Sequence, residues 1–339
     1  MVLTAFLHLL RVSFTGAYFR RELNWTIGLG LFVLTLGLAF TGYLLPWDQL
    51  AFWAVSVSAN MLDYIPWIGG SLKRILLGGS EVGQAALIRF YMLHVAFLPG
   101  LMLGLIVLHV WRVRKDGGLA RESDGPENAS TVPAWPHLLL REAILVIVLL
   151  TLLCLAATFV SAPLGGAPDI HNPSNPEKTP WYFLWIQEMV SYSAPVGGFI
   201  FPGFLLAGLF LLPLLEREPD GVGRWFGRPG NRVALGVSSA LALIFFVLFE
   251  WAFMHPGVVS WLASNSPLVR DLLNPATGML VLAVILFRAP GTLTQSTRAA
   301  FHAAIVALLV AVIGFTLVAW CRGPMWAFFW PWEEWTLVR

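Results

Sequence analysis

Two histidines stand fifteen residues apart in Arg89–Lys115, RFYMLHVAFLPGLMLGLIVLHVWRVRK, a stretch whose apolar body is long enough to cross a bilayer at ~20 residues per span. At ~1.5 Å rise and ~100° per residue, His94 and His109 lie roughly 22 Å apart along a helix and roughly 60° apart around it. Both can face one neighbouring helix, near opposite membrane surfaces. An ionisable side chain inside a span is costly and faces the bundle interior, where it binds a ligand or relays protons. A single such histidine fits an interhelical hydrogen bond equally well. Two at this separation fit axial ligation of two haems stacked across the membrane, since haem iron takes an imidazole nitrogen at inward positions of a helical bundle.

The elements that must position these histidines follow from composition. The 339 residues are 58% hydrophobic and 12% charged, with sixteen tryptophans, and imply an all-α, polytopic transmembrane bundle of about seven to eight spans. The net charge of +2 is spread over loops rather than clustered and so gives no pointer to nucleic acid; the partner expected from composition is membrane lipid, with no nucleic acid. Cys154 and Cys321 lie singly in apolar surroundings, with no haem-attachment or metal-binding pair, and are expected as free thiols.

In chain order, Met1–Trp25 begins inside an apolar run too short to span and carries His8 ahead of Arg11, Arg20 and Arg21. Ile27–Leu45 is a span ending at Pro46; its Gly28, Gly30, Gly37 and Gly42 permit close approach of a helix or a flat ligand. Trp47–Gly83, aromatic and less apolar, suits an amphipathic hairpin at the interface. Gly117–His137 reads as a linker. Arg141–Ala162 is a span, Pro163–Pro180 a loop rich in Pro, Asn and Gly, and Trp181–Trp185 opens a short interfacial helix. Phe199–Leu215, Val233–Met254, the shorter Thr277–Phe287 and Ala299–Trp320 complete the spans. Most lysines and arginines then fall on the loops that share a side with Arg20, Arg114 and Arg224. That side reads as cytoplasmic (n), with His8 and His109 near it and His94 near the opposite (p) side.

The strings FLHLLRVSFTGAYFRRELNW, TGYLLPWDQLAFWAV and VGQAALIRFYMLH, followed fifteen residues on by His109, resemble cytochrome b of the Rieske/cytochrome b quinol oxidoreductases, closely over Met1 to about Gly118. Trp135 to about Arg232 resembles the second half of that family, fused here to the first. The last two spans and WCRGPMWAFFWPWEEW resemble the extension of some bacterial versions. The domains expected are a haem-binding unit at 1–118, a linker at 119–140, a second cytochrome b unit at 141–232 and additional helices at 233–339.

The resemblance implies two b-type haems, with His8 and His109 on the n-side haem, His94 on the p-side haem, Gly28 and Gly42 admitting the haems, and Arg11 within the binding set. It implies a p-side quinol pocket formed by Tyr43, Pro46, Trp47, Pro180, Trp181 and Tyr182, with quinone reduced on the n side. It further implies a Rieske iron–sulfur partner, a c-type cytochrome subunit, a homodimeric complex and residence in the inner, cytoplasmic membrane. The family's Pro-Glu-Trp-Tyr motif reads Thr179-Pro180-Trp181-Tyr182 here, so Pro180 stands where a glutamate accepts a quinol proton. Glu188, Asp48 and Tyr182 are the expected catalytic set, with Glu188 taking the proton; Glu177 reads as a solvated charge. The resemblance also places a first haem histidine fourteen residues before His8, where this sequence has no position; a start set at an internal methionine, mid-helix, is the favoured reading, beside a separate chain that supplies the missing helix and a half, or loss of the p-side haem. A haem-bearing anchor for a soluble dehydrogenase is the competing class, and an inactive assembly partner a third. The Trp-Tyr loop and the PWDQ segment disfavour the anchor, which requires no p-side quinol pocket.

Overall fold

The computed structural model describes residues 1–118, 133–162, 164–294 and 296–334. Among them the chain is helical throughout, without a strand; one isolated bridge joins Arg322 to Phe328. The helices are α1 (Val2–Phe14), α2 (Glu22–Tyr43), α3 (Gln49–Met61), α4 (Gly69–Leu77), α5 (Gln84–Met92), α6 (Leu98–Lys115), α7 (Leu139–Phe159), α8 (Trp181–Tyr192), α9 (Phe201–Leu215), α10 (Pro229–Phe253), α11 (Pro256–Ala263), α12 (Pro267–Leu272), α13 (Pro275–Thr294) and α14 (Thr297–Trp320). Six segments are long and apolar enough to cross a membrane: α2, the continuous Gln84–Lys115, Ala134–Phe159, Val196–Leu215, Gly230–Phe253 and α14. With the shorter apolar α1 and α13 they account for the expected bundle, and the chain is a multi-pass membrane protein.

Three of these spans carry a widened π turn, one at the start of Ala134–Phe159 and two within longer helices, Leu93–Phe97 and Val196–Ile200. The latter two are set by proline. Each precedes a proline, Pro99 and Pro202, which lacks the N–H that would close the preceding turn and whose ring crowds the carbonyl four residues earlier. His94 sits in the first of these two turns, so the proline sets its direction.

Packing divides the molecule into three apolar cores. The largest joins α8, α9, α10, α13 and α14 through Met189, Phe201, Phe246, Met279 and Phe315. A second gathers Leu9, Tyr18, Trp25, Leu29, Leu212 and Phe301 at the end of the bundle where α1 stops. There Trp25 Nε1 donates to Leu209 O at 2.7 Å and Tyr18 donates to Glu216 Oε2 at 2.7 Å, tying the first helices to α9. The third core holds the interfacial hairpin against α2 through Leu44, Val55, Leu77 and Phe90. By contrast α6 and α7 have no buried residue. Their outer faces suit lipid, and α6 is held chiefly by α2.

Candidate haem and quinol sites

α2 separates two features that the sequence analysis expected to act together. On one side Gly28 and Gly42 face α6. A Cβ built at Gly42 would stand 2.5 Å from His94 Cε1, and one at Gly28 would stand 3.2 Å from His109 Cε1. The absent side chains therefore make the room into which both imidazoles lean. Thr41 Oγ1 bonds Gly37 O at 2.8 Å and His94 Nδ1 at 3.1 Å. The hydroxyl has one proton, and giving it to the carbonyl leaves Oγ1 to accept from Nδ1–H. Nε2 of His94 then keeps its lone pair for a ligand.

His109 is half-buried with Nδ1 enclosed and without a hydrogen-bond partner. His8, exposed on α1, lies within electrostatic range of His109, as expected of two histidines at one depth. Arg11 is exposed in the last turn of α1, one turn beyond His8. An imidazole with a free lone pair, a second with an orphaned buried nitrogen and two glycine notches fit the family's haem.

On the other side of α2 is a cavity of about 510 Å³ between α2, α3, α8 and the segment Glu177–Pro180. Its wall is mostly apolar (Val33, Leu36, Phe40, Trp53, Phe183, Val190), with polar groups from Tyr43, Ser58, Glu177, Lys178, Thr179 and Gln187. That pattern suits a hydrophobic ligand with a polar head.

The loop over the cavity is fixed by one side chain. Gln187 accepts from Thr179 N at 2.9 Å and Thr179 Oγ1 at 3.1 Å, and donates to Glu177 O at 2.6 Å. It thereby turns Glu177 inward, where Oε2 is buried without a partner. Farther along, the loop is stitched to the start of α3. Gln49 N donates to Gly166 O at 2.9 Å, and its side chain donates to Asn172 O at 2.7 Å and accepts from Asp169 N at 2.5 Å.

The residues expected at the quinol pocket fall in different places. Tyr43 and Pro180 line the cavity, whereas Pro46, Trp47, Trp181 and Tyr182 do not. Trp47 packs against the interfacial hairpin and takes a left-handed backbone, φ 52°. Tyr182 makes edge-on contacts with Trp181 and Phe183, and burial pushes its hydroxyl above its ordinary pKa, so it keeps its proton. Asp48 caps α3: it accepts from Ala51 N at 2.9 Å and from Gly165 N at 3.0 Å, and both oxygens are thereby engaged.

Glu188 is fully buried on the face of α8 away from the cavity, bound to Arg322 and to Trp326 Nε1 at 2.9 Å. The carboxylate facing the cavity is Glu177, which the sequence analysis read as solvated. The signal available in the sequence was Gln187: a half-buried amide in the first turns of α8 binds the backbone of the preceding loop, and binding it aims the loop's acidic residue inward.

Histidines aligned along one span, glycine notches opposite them and an adjoining lipophilic cavity give this polytopic membrane protein a candidate haem site beside a candidate lipophilic-ligand site. Residues 1–167, just under half the chain, match the cytochrome b(N-terminal)/b6/petB family. Over 118 residues the chain is 49% identical to cytochrome b6 of Heliobacterium modesticaldum, covering 34% of this chain and 55% of that protein, so it spans about half that relative's length. A chain of a hyperthermophilic respiratory Complex III has the same fold, with a TM-score of 0.59 at 21% identity over 93% of this chain and 76% of that one.

Proposed function

We propose that this chain is the cytochrome b subunit of a quinol oxidoreductase, in which the cavity beside Tyr43 and Glu177 is the quinol-oxidation pocket. One observation carries the reading. Gly37, Phe40 and Tyr43 line the cavity while Thr41 and Gly42, in the same turns of α2, touch His94. A substrate in the cavity and a group held by His94 would be separated by the width of one helix.

His8 and His109 would hold one b-type haem near the n side, and His94 would contribute to another near the p side. When bound, b-type haem supplies one-electron acceptance and transfer inside the membrane. The chain's own residues do the rest. The apolar wall excludes water and orients the quinol ring, and Tyr43 and Thr179 offer hydroxyls to its head. Glu177 accepts the proton that a quinol hydroxyl releases as it is oxidised, in place of the glutamate replaced by Pro180.

Electrons leaving in one-electron steps call for a Rieske iron–sulfur partner and a c-type cytochrome. Quinone reduction on the n side, a homodimeric complex, inner-membrane residence and the unit boundaries near residues 118, 140 and 232 belong to the same reading. The test is optical: quinol added to the purified complex should develop a reduced b-type spectrum, suppressed when the cavity is narrowed by Val190→Trp. A chain that binds haem but cannot be reduced by quinol would favour the anchor.

A further inference from the structure

Behind the cavity, on the buried face of α8, lies a cluster that the reaction above does not use. Glu188, Tyr192, Glu250 and Arg322 meet there, with Glu188 0%, Glu250 4% and Arg322 9% exposed. Glu188 accepts from Arg322 through Nε at 2.9 and 3.2 Å and through Nη2, from Trp326 Nε1 at 2.9 Å and from the Tyr192 hydroxyl at 2.5 Å. Every site on the Glu188 carboxylate faces a donor, the environment of an ionised carboxylate paired with a guanidinium. Burial works against the charge of Arg322, but the hydrogen bonds and charge of Glu188 outweigh it and hold the pKa of Arg322 above its ordinary value.

The Tyr192 oxygen also stands 3.0 Å from Glu250 Oε2 and accepts from Arg322 Nη2 at 3.0 Å. Burial, then the neighbouring carboxyls of Glu250 and Glu188, push the Tyr192 hydroxyl well above its ordinary pKa, so it keeps its proton. That single proton is committed to Glu188. Two oxygens at hydrogen-bond distance need a proton between them, and for the contact with Glu250 the tyrosine has none to give. The other oxygen, Glu250 Oε1, is buried without a partner. The titratable and charged groups facing Glu250 are Glu188, Tyr192 and Arg322, and the only cation among them is paired to Glu188.

We infer that Glu188 and Glu250 form a one-proton site in which Glu250 is a neutral carboxylic acid at neutral pH, donating to Tyr192, while Glu188 stays ionised against Arg322. The cluster then holds one positive and one negative charge, which removes the cost of burying a second carboxylate without a counter-ion. Its proton is exchangeable through Tyr192. The site is independent of the quinol reading, because nothing in the cavity enters the argument.

Infrared spectra of the purified protein at neutral pH, in H2O and D2O, test it. A carbonyl band of a protonated, buried carboxylic acid should appear, shift in D2O and be lost in Glu250→Gln. The band should persist in Tyr192→Phe, which removes the bridge and not the acid. Since glutamine is a neutral isostere of the protonated side chain, Glu250→Gln should also leave the thermal midpoint unchanged. A spectrum without the band, a band that survives in Glu250→Gln, or a Glu250→Gln protein that no longer folds would each show Glu250 to be ionised and overturn the inference.

Discussion

Adding one methyl group at Gly42 should disrupt the site at His94, and the size of the effect follows from geometry. The alanine Cβ would lie 2.5 Å from Cε1 of His94 and 3.1 Å from both ring nitrogens. Carbon atoms rest at ~3.5–4.0 Å, so the ring must clear about 1 Å. It has little freedom to do so: Nδ1 is held by Thr41 at 3.1 Å, and the backbone lies in the π turn that Pro99 imposes. Overpacking of this kind costs about 1–3 kcal/mol, which corresponds to roughly fivefold to a hundredfold weaker retention of a ligand at His94.

Gly28→Ala is the internal control, because its Cβ meets His109 at 3.2 Å, where a few tenths of an ångström suffice. Reduced-minus-oxidised optical spectra of membranes, normalised to protein, should show a large loss of haem b signal for Gly42→Ala and a small one for Gly28→Ala. Equal retention in the two variants, or the reverse order, would refute the reasoning.

Three further outcomes follow. His109→Ala should remove one b-type haem signal and leave the other, measured in the same spectra; persistence of both would break the pairing of His8 with His109. Arg322→Ala, which strands the buried Glu188 without its cation, should destabilise the protein by about 3–5 kcal/mol in a thermal or denaturant melt, and pairing it with Glu188→Leu should recover much of the loss. Asp169, on the loop docked to α3, has its pKa lowered below 3.8 by hydrogen bonds from Asn172 and the His171 N–H. Because its folded value lies below its unfolded one, its contribution is complete above pH ~4 and is lost as pH falls through the folded value. Protease sensitivity of the loop should therefore rise on acidification and be insensitive to the same change in Asp169→Asn.

The spans were legible because an uninterrupted apolar run leaves the backbone no choice but a helix in lipid, so α2, α6, α7, α9, α10 and α14 fell within a few residues of expectation. The fourteen residues from Gly28 to Gly42 and the fifteen from His94 to His109 were equally readable, since both are distances along a helix. Side-chain direction at the cavity was not. Whether Glu188 or Glu177 faces the cavity depends on Arg322, far away in the chain, which draws Glu188 to the opposite face of α8. It depends also on Gln187, which folds Thr179 and Glu177 back over the cavity. Asp48 likewise read as a free carboxylate because the amide it binds at Gly165 lies across the loop. Local pattern carries helix period, whereas these partners are set by how the interfacial loop docks.

The most direct test of the quinol reading is steady-state quinol oxidation by the complex carrying Glu177→Gln. With haem content normal, Glu177→Gln should lower turnover by about 10²-fold, the low end for loss of a general base. Unchanged turnover in Glu177→Gln would contradict the assignment of Glu177 as the proton acceptor of the cavity.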